Sequence, residues 1–283
     1  MAAPQQETQD TQDTGKFRST KDQYYTKLHV AKKCVEAILT LSQAATEYQW
    51  VEPSAGNGSF LKALNQPQRD LLAIDIEPKA EGIQRGNFLE WIPLTQKPRI
   101  FFGNPPFGRQ GSLAKAFIKQ AAKCQAEIIA FILPRSFVKP SMSRAFPPRF
   151  HCVHTEEIEK NAFEVNAEEY DVPCVFQIWV KRQTDRPAPT PSQPVGFSFV
   201  THTQVFDIAF KRVGGLAGKC YPFTQPHTYN KQCFYFLKLQ ANHQNNTQNI
   251  IDLMNKHVFP SNTVGPRSLS KGEMTEVMNE ILA

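Results

Sequence analysis

Up to residue 133 the chain alternates short apolar runs with segments of helical periodicity. Gln49-Trp50-Val51-Glu52, Leu71-Leu72-Ala73-Ile74-Asp75, Arg99 to Gly103 and Glu127 to Leu133 have strand length, and the last is apolar enough to be buried on both faces. Leu28, Ala31, Val35, Ile38 and Leu39 recur at helical spacing, as do Leu113, Ala116, Phe117, Gln120 and Ala121, and a short helix is expected over about 60–64. A further short strand is expected to end at Gly86-Asn87-Phe88-Leu89. Phe150 to Ile158 and Val172 to Val180 then follow as two strands with no helix between them. Alternating β and α predicts a parallel sheet, and the two final strands predict an antiparallel hairpin that closes it, so the expected class is α/β with a mostly parallel sheet.

Residues 1–16 lack periodicity and aromatic side chains and read as a disordered tail. The stretch 183–194 (QTDRPAPTPSQP) reads as a Pro-rich linker, which gives one domain over 17–182 and a small β-rich region over 195–283. In that region Phe197–Val200, Val205–Phe210 and Cys233–Leu239 have strand composition, residues 249–257 suggest a short helix, and Ser270-x-x-Glu273 is a capping box for a last helix to Leu282. The segment from Lys211 to Lys219 is basic and glycine-rich. Lys211, Arg212 and Lys219 are candidates to grip a phosphate backbone, with Tyr221 and Phe223 near enough to stack; the same residues read equally well as a β-hairpin with glycine at its turn.

Composition adds bounds. The 283 residues are 41% hydrophobic with a net charge of +6, enough for a sizeable core and compatible with an anionic partner, although charge alone decides nothing. No run of about 18 apolar residues occurs and the N-terminus is polar, so a soluble, intracellular protein without membrane contact is expected. Six scattered cysteines with no Cys-x-x-Cys pair predict free thiols in a reducing compartment. His151, Cys152 and His154 alternate across a strand, which argues against a metal site there. No internal repeat is evident.

The chemistry gathers at strand ends. Glu52-Pro53-Ser54-Ala55-Gly56-Asn57-Gly58-Ser59-Phe60 is a strand, a Gly-containing turn and a helix start, a nucleotide-binding opening in α/β folds. Leu61 stands where a dinucleotide fingerprint wants a third glycine, and Glu52 repels phosphate while attracting a cation. A ligand with an adenosine and a positive centre therefore fits better than NAD. Asp75, about 20 residues further on, can accept both ribose hydroxyls or simply open a turn, and Asn87 can meet an adenine edge or be a turn residue. Thr26 is placed to cap the first helix, whose free N–H groups suit a carboxylate. In Gly103-Asn104-Pro105-Pro106-Phe107-Gly108 two prolines fix the backbone around an amide side chain, a rigid carbonyl and an aromatic ring. That trio suits a flat nitrogenous group: two acceptors take both hydrogens of an exocyclic amine while the ring stacks on its face. Alone the segment is a proline turn. Its weight comes from convergence, since Glu52, Asp75, Asn87 and Asn104 all fall at expected strand ends, where such sheets bind ligands.

In this order the pieces resemble the S-adenosylmethionine-dependent amino-methyltransferases, specifically the N6-adenine group with the Asn-Pro-Pro-aromatic signature, over roughly residues 20–182. The resemblance implies a Rossmann-like methyltransferase fold with a seven-stranded sheet, S-adenosyl-L-methionine as cofactor, and a nucleic acid, DNA or RNA, as partner. It implies that Glu52, Pro53, Ser54, Gly56, Gly58 and Phe60 form the methionine-binding loop, with Tyr25 and Thr26 touching the methionine carboxylate. Asp75, followed by Ile76, matches the ribose-binding acid. Asn87-Phe88 matches a position where the family usually has Asp-Phe against the cofactor adenine. Asn104, Pro105, Pro106 and Phe107 match the catalytic motif, Asn104 also bordering the cofactor, and Phe163 is similar in place to the aromatic on the other side of the target base. The motif order is like that of the gamma-type DNA adenine methyltransferases, which puts DNA ahead of RNA. Two alternatives stay open: a protein glutamine N-methyltransferase, and a catalytically silent subunit that binds cofactor or RNA.

Overall fold

The computed structural model describes residues 24–41, 47–66, 69–165, 168–188, 190–223, 229–260 and 266–283. The tail expected over 1–16 lies outside the described residues. The chain divides into two compact units, with the boundary between Thr190 and Pro191.

The first unit is built on a seven-stranded sheet. Its strands are β2 (Gln49–Glu52), β3 (Leu71–Asp75), β4 (Ile83–Arg85), β5 (Arg99–Gly103), β6 (Ala126–Pro134), β7 (Phe150–Glu157) and β10 (Cys174–Lys181), in the order β4-β3-β2-β5-β6-β10-β7. The five strands from β4 to β6 are parallel, and β10 runs antiparallel to both β6 and β7. This is the expected Rossmann-like α/β fold: a mostly parallel sheet closed by an antiparallel pair, the arrangement implied by the resemblance to the methyltransferases. Strand order reverses between β2 and β5, and the crevice above that reversal is where open α/β sheets bind ligands.

All five residues of β5 are buried. Phe101 belongs to the core shared with Val51, Phe88, Phe117, Ile118 and Phe131, whereas Phe102 meets Trp50 and Phe60 edge-on at 5.3 and 6.1 Å. Period-two alternation thus feeds both layers, with α3 (Ser112–Lys123) against β6 on one side and α1 (Leu28–Leu41) packed on α2 (Ser59–Leu64). At the foot of β5 the buried Arg99 guanidinium donates to Gln49 Oε1 and to the carbonyls of Thr95, Lys97 and Cys124. These acceptors satisfy a charge that has no carboxylate partner among the described residues.

Three features of the first unit depart from the expected element list. Thr26 is not the cap of α1 but part of a strand, β1 (Tyr25–Thr26), paired antiparallel with β8 (Phe163–Val165) in the register Tyr25↔Glu164 and Thr26↔Phe163. The segment between β7 and β10, expected as a plain connection, folds back as the hairpin of β8 and β9 (Glu168–Tyr170) and completes a three-stranded sheet with β1. The third concerns Asn87: the strand that was to end at residues 86–89 stops at Arg85, and Asn87 instead caps a 3-10 turn over Phe88–Glu90.

The Pro-rich stretch 183–194 is fastened at both ends. Arg186 donates to the carbonyls of Ser143, Phe146, Pro147 and Phe150 and lies 5.3 Å from the Trp179 ring, within the first unit. Ser192 and Gln193 are bonded to Glu276 and Asn279 of the last helix, within the second. That second unit is an antiparallel sheet, β11 (Phe197–Val200), β14 (Phe234–Leu239), β12 (Ile208–Lys211) and β13 (Cys220–Pro222), in the order β11-β14-β12-β13. Helices α5 (Thr247–Lys256) and α6 (Lys271–Leu282) share its core, preceded by a short α4 (Ala241–Gln244). The capping box is present as expected, Ser270 and Glu273 exchanging side-chain and backbone bonds. Val205–Asp207, expected as strand, precede β12. All six cysteines are free, and no helix among the described residues is long and apolar enough to cross a membrane.

Candidate active site

The chain leaves β5 through Gly103, whose φ of 126° favours glycine and whose added Cβ would lie 3.3 Å from Glu52 Cγ. Asn104 follows. Its Nδ2 donates to the Tyr24 carbonyl and to Thr26 Oγ1, each at 3.2 Å. A carbonyl only accepts, so the side-chain atom facing it is the amide nitrogen, and Oδ1 is left as the outward acceptor. Ser54 Oγ donates to the Asn104 carbonyl at 3.1 Å. The Phe107 carbonyl accepts from the N–H groups of Leu113 and Ala114, which ties the motif to the start of α3. No donor among the described residues reaches the Pro105 carbonyl.

Three cavities meet here, and Tyr24 and Asn104 line all of them. The largest, about 220 Å³, is bounded by Pro53, Ser54, Gly56, Asp75 and Ile76 and, from the segment after β4, by Asn87 and Phe88; Tyr25 and Pro106 complete its rim. The second, about 30 Å³, holds Thr26, Glu52 and Phe60. The third, about 20 Å³, has Pro105, Pro106, Phe107 and Phe163 around it. Of the first-unit residues singled out from sequence, Gly58 alone lines none. It is the left-handed N-cap of α2, and Asn57 Oδ1 supplies the missing cap by accepting from the Ser59 N–H and Oγ.

Glu52 carries the strongest electrostatic signal. It is 1% exposed, and one carboxylate oxygen, Oε2, has no partner among the described residues. Burial, reinforced by the neighbouring Asp75 charge, pushes its carboxyl well above the usual range, while the Leu61 N–H at the start of α2 opposes the shift. An orphaned, desolvated carboxylate is a receptor for a cation. Asp75 is held by the opposite logic: Oδ2 accepts from the Gly56 N–H and Oδ1 from the Glu77 N–H, both at 2.7 Å. It therefore opens its turn and also faces the cavity with lone pairs in fixed directions. Asn87 likewise combines both readings, accepting from the Leu89 N–H and donating to Glu90 Oε1 while lining the cavity. Gly56, at φ +50°, could carry no Cβ without meeting Tyr25 Cε1 at 2.9 Å, so this tyrosine covers the turn. Burial raises the Tyr25 phenol pKa, with Lys79 pulling against it.

Phe163 is 1% exposed in β8, so it anchors the hairpin and borders the small cavity together. Tyr24, which periodicity did not single out, stands edge-on to Phe163 and Tyr170 at 6.5 and 5.7 Å. Leu113 and Phe117 of α3 and Leu89 were also missed. Their apolar character reads as core, and only the packing of α3 beside Phe88 puts them at the cavity.

The basic candidates of the second unit do not form one cluster. Lys211 Nζ lies 4.5 Å from the Phe234 ring centre and the Arg212 guanidinium 5.1 Å from that of Tyr235. Phe234 and Tyr235 are successive residues of β14 and point to opposite faces, so the rings that the two cations meet lie on opposite sides of the sheet. Lys219 Nζ donates to the Asn255 carbonyl at 2.8 Å.

No protein-family model and no curated protein matches the chain. Among solved structures it is similar to a candidate RNA methyltransferase from Pyrococcus horikoshii, with 15% identity over 59% of this chain and 94% of that one and a TM-score of 0.43. It is also similar to the magnesium protoporphyrin IX methyltransferase of Synechocystis, with 11% identity over 54% and 81% of the two chains and a TM-score of 0.39. A third is the methyltransferase subunit of a type I restriction-modification system from Streptococcus thermophilus, with 12% identity over 91% and 57% and a TM-score of 0.43. The fold assignment rests on strand order and register rather than on these likenesses.

Proposed function

We propose that the first unit binds S-adenosylmethionine and transfers its methyl group to the N6 amine of adenine in a nucleic acid. The observation that carries this reading is the fixed amide of Asn104, with its nitrogen held by Tyr24 and Thr26 and its oxygen left to accept, at the junction of the three cavities. The donor set fits the cofactor. Glu52 with its orphaned oxygen suits a positive centre, Asp75 presents acceptors for ribose hydroxyls, and Asn87 and Phe88 border the space for a purine. When bound, the cofactor supplies an electrophilic methyl group on a sulfonium.

The chain's own part is positioning. Asn104 Oδ1 and the Pro105 carbonyl each accept one N–H of the amine, which draws the nitrogen lone pair out of conjugation with the ring. No strong base is required, because the product sheds its extra proton to solvent. Phe107 stacks on the base, and Phe163 borders its other side. The 20 Å³ on the Phe107 side holds about one water, so a base enters only as the surrounding rings part.

That small volume also favours a second reading, transfer to a slender glutamine amide. One assay separates them: labelled methyl transfer from S-adenosylmethionine to duplex DNA, single-stranded DNA, RNA and protein in parallel, followed by nucleoside and amino-acid analysis. N6-methylated adenine is the expected product. Label in glutamine would replace the first reading with the second, and no transfer to any substrate would favour a silent subunit.

A further inference from the structure

We infer that the second unit holds a single-stranded nucleic acid in a cleft on its sheet that takes Arg212, but neither Lys211 nor Lys219, from the glycine-rich segment. The cleft, of about 330 Å³, is lined by Arg212, Lys231 and Lys271 with His202 and the rings of Phe199 and Tyr235. That volume accommodates a nucleotide. Lys271 Nζ lies 4.3 Å from the Phe199 ring centre and 5.9 Å from that of Tyr235, and Phe199 meets Tyr235 edge-on at 5.9 Å. Arg212 donates to the Gln232 carbonyl, while its buried Nε has no acceptor among the described residues.

The charges of the cleft are of one sign. Residues 191–283 carry eight Lys and Arg against five Asp and Glu, and none of those five acids lines the cleft. Asp207 is paired with Lys238 and Glu273 serves in the capping box. Among the described residues neither Lys231 nor Lys271 has a carboxylate partner. Cations that hold a phosphate backbone beside rings that take a base face are the pattern of single-strand binding, because a duplex keeps its base faces covered. The inference rests on the reading of the first unit as acting on nucleic acid, but the cleft is tested without it.

The test is fluorescence anisotropy on the full chain with labelled oligothymidine and oligouridine, which contain no adenine and so bypass the Asn104 site. The Lys231→Gln/Lys271→Gln double variant removes two exposed charges without touching the core. Each phosphate contact on a single strand contributes a salt slope of about 0.7, so raising salt from about 50 to about 200 mM should weaken the wild type about sevenfold more than the variant. At the lower salt the variant should bind at least about tenfold more weakly. Equal affinities and slopes would overturn the cleft. So would binding of a labelled duplex as tight as that of the single strand, or of polyglutamate as tight as that of the oligonucleotides. Asn104→Ala should bind both oligonucleotides as the wild type does. Loss of methyl transfer with oligonucleotide binding still dependent on the two lysines would count against the catalytic reading alone.

Discussion

Replacing Glu52 by glutamine keeps the shape of a buried side chain and removes its charge. At 1% exposure the carboxylate acts in a poorly screened environment. Two unit charges about 4 Å apart at an effective dielectric of about 20 attract by about 4 kcal/mol. The glutamine carbonyl keeps one hydrogen bond worth about 1 kcal/mol, so about 3 kcal/mol is lost, roughly a 100-fold weaker affinity for S-adenosylmethionine. Titration calorimetry reads this directly. S-adenosylhomocysteine, which keeps the ammonium and lacks the sulfonium, should weaken by the same factor if the ammonium occupies the small cavity beside Glu52. The pH dependence has a definite sign. In the ligand-free protein the Glu52 pKa is raised above its unfolded value, so its contribution to stability is fully present below the ordinary carboxylate range and is lost as pH rises through the raised value. Thermal melts of ligand-free protein between about pH 5 and 9 should therefore show Glu52→Gln gaining on the wild type toward the alkaline end. A variant that binds S-adenosylmethionine within about threefold of wild type would refute the assignment of Glu52 as the cation's partner, and a melting difference flat with pH would refute its raised pKa.

Asn104→Ala should lower turnover by about 10²–10³-fold while cofactor affinity, measured by calorimetry, changes less than about tenfold; equal loss of both would mean that the fold and not the chemistry was damaged. Thr26→Val keeps a buried β-branched residue and removes one of the two acceptors that orient the Asn104 amide, worth about 1 kcal/mol. Single-turnover rates should fall about fivefold with cofactor affinity unmoved, and an unchanged rate would show that the Tyr24 carbonyl suffices. Phe107→Trp should retain far more activity than Phe107→Ala, since stacking on a base is worth about 1–3 kcal/mol; similar rates for the two would remove the stacking role.

The parallel sheet was legible where its strands hold apolar runs bounded by polar turns, as in Ile100-Phe101-Phe102 before Gly103-Asn104, whereas β4, Ile83-Gln84-Arg85, has no such run. Glu52 and Asp75 are the last residues of β2 and β3, so their place at the crevice follows from those runs, whereas Asn87 lies beyond the end of β4. β8 and β9 were not, because three-residue strands of Phe163-Glu164-Val165 and Glu168-Glu169-Tyr170 offer too few positions for a period to register and carry charges that read as loop. Thr26 was misplaced by a local rule: a threonine before an apolar helical repeat is a good cap, and only the pairing with Phe163, 137 positions later in the chain, overrides it. The linker was half legible. Prolines made the stretch read as a linker, but Arg186, whose guanidinium gathers four backbone carbonyls, looked like one more polar residue in a polar stretch.

The hairpin that escaped sequence reading bears directly on the chemistry. Thr26 and Phe163 stand opposite each other in register, so one ladder carries both the hydroxyl that orients Asn104 and the ring that borders the small cavity. Tyr24, one residue before the ladder, adds the carbonyl that fixes the amide and a ring that meets Phe163 and Tyr170 edge-on. An outward shift of this three-stranded sheet would widen the space between Phe107 and Phe163 and, in the same movement, release the Asn104 nitrogen from both acceptors. Opening the pocket and orienting its acceptor are therefore opposed by construction. On the function proposed above, the amide would face an amine only while both acceptors hold its nitrogen, so the ladder that borders the pocket also orients its acceptor.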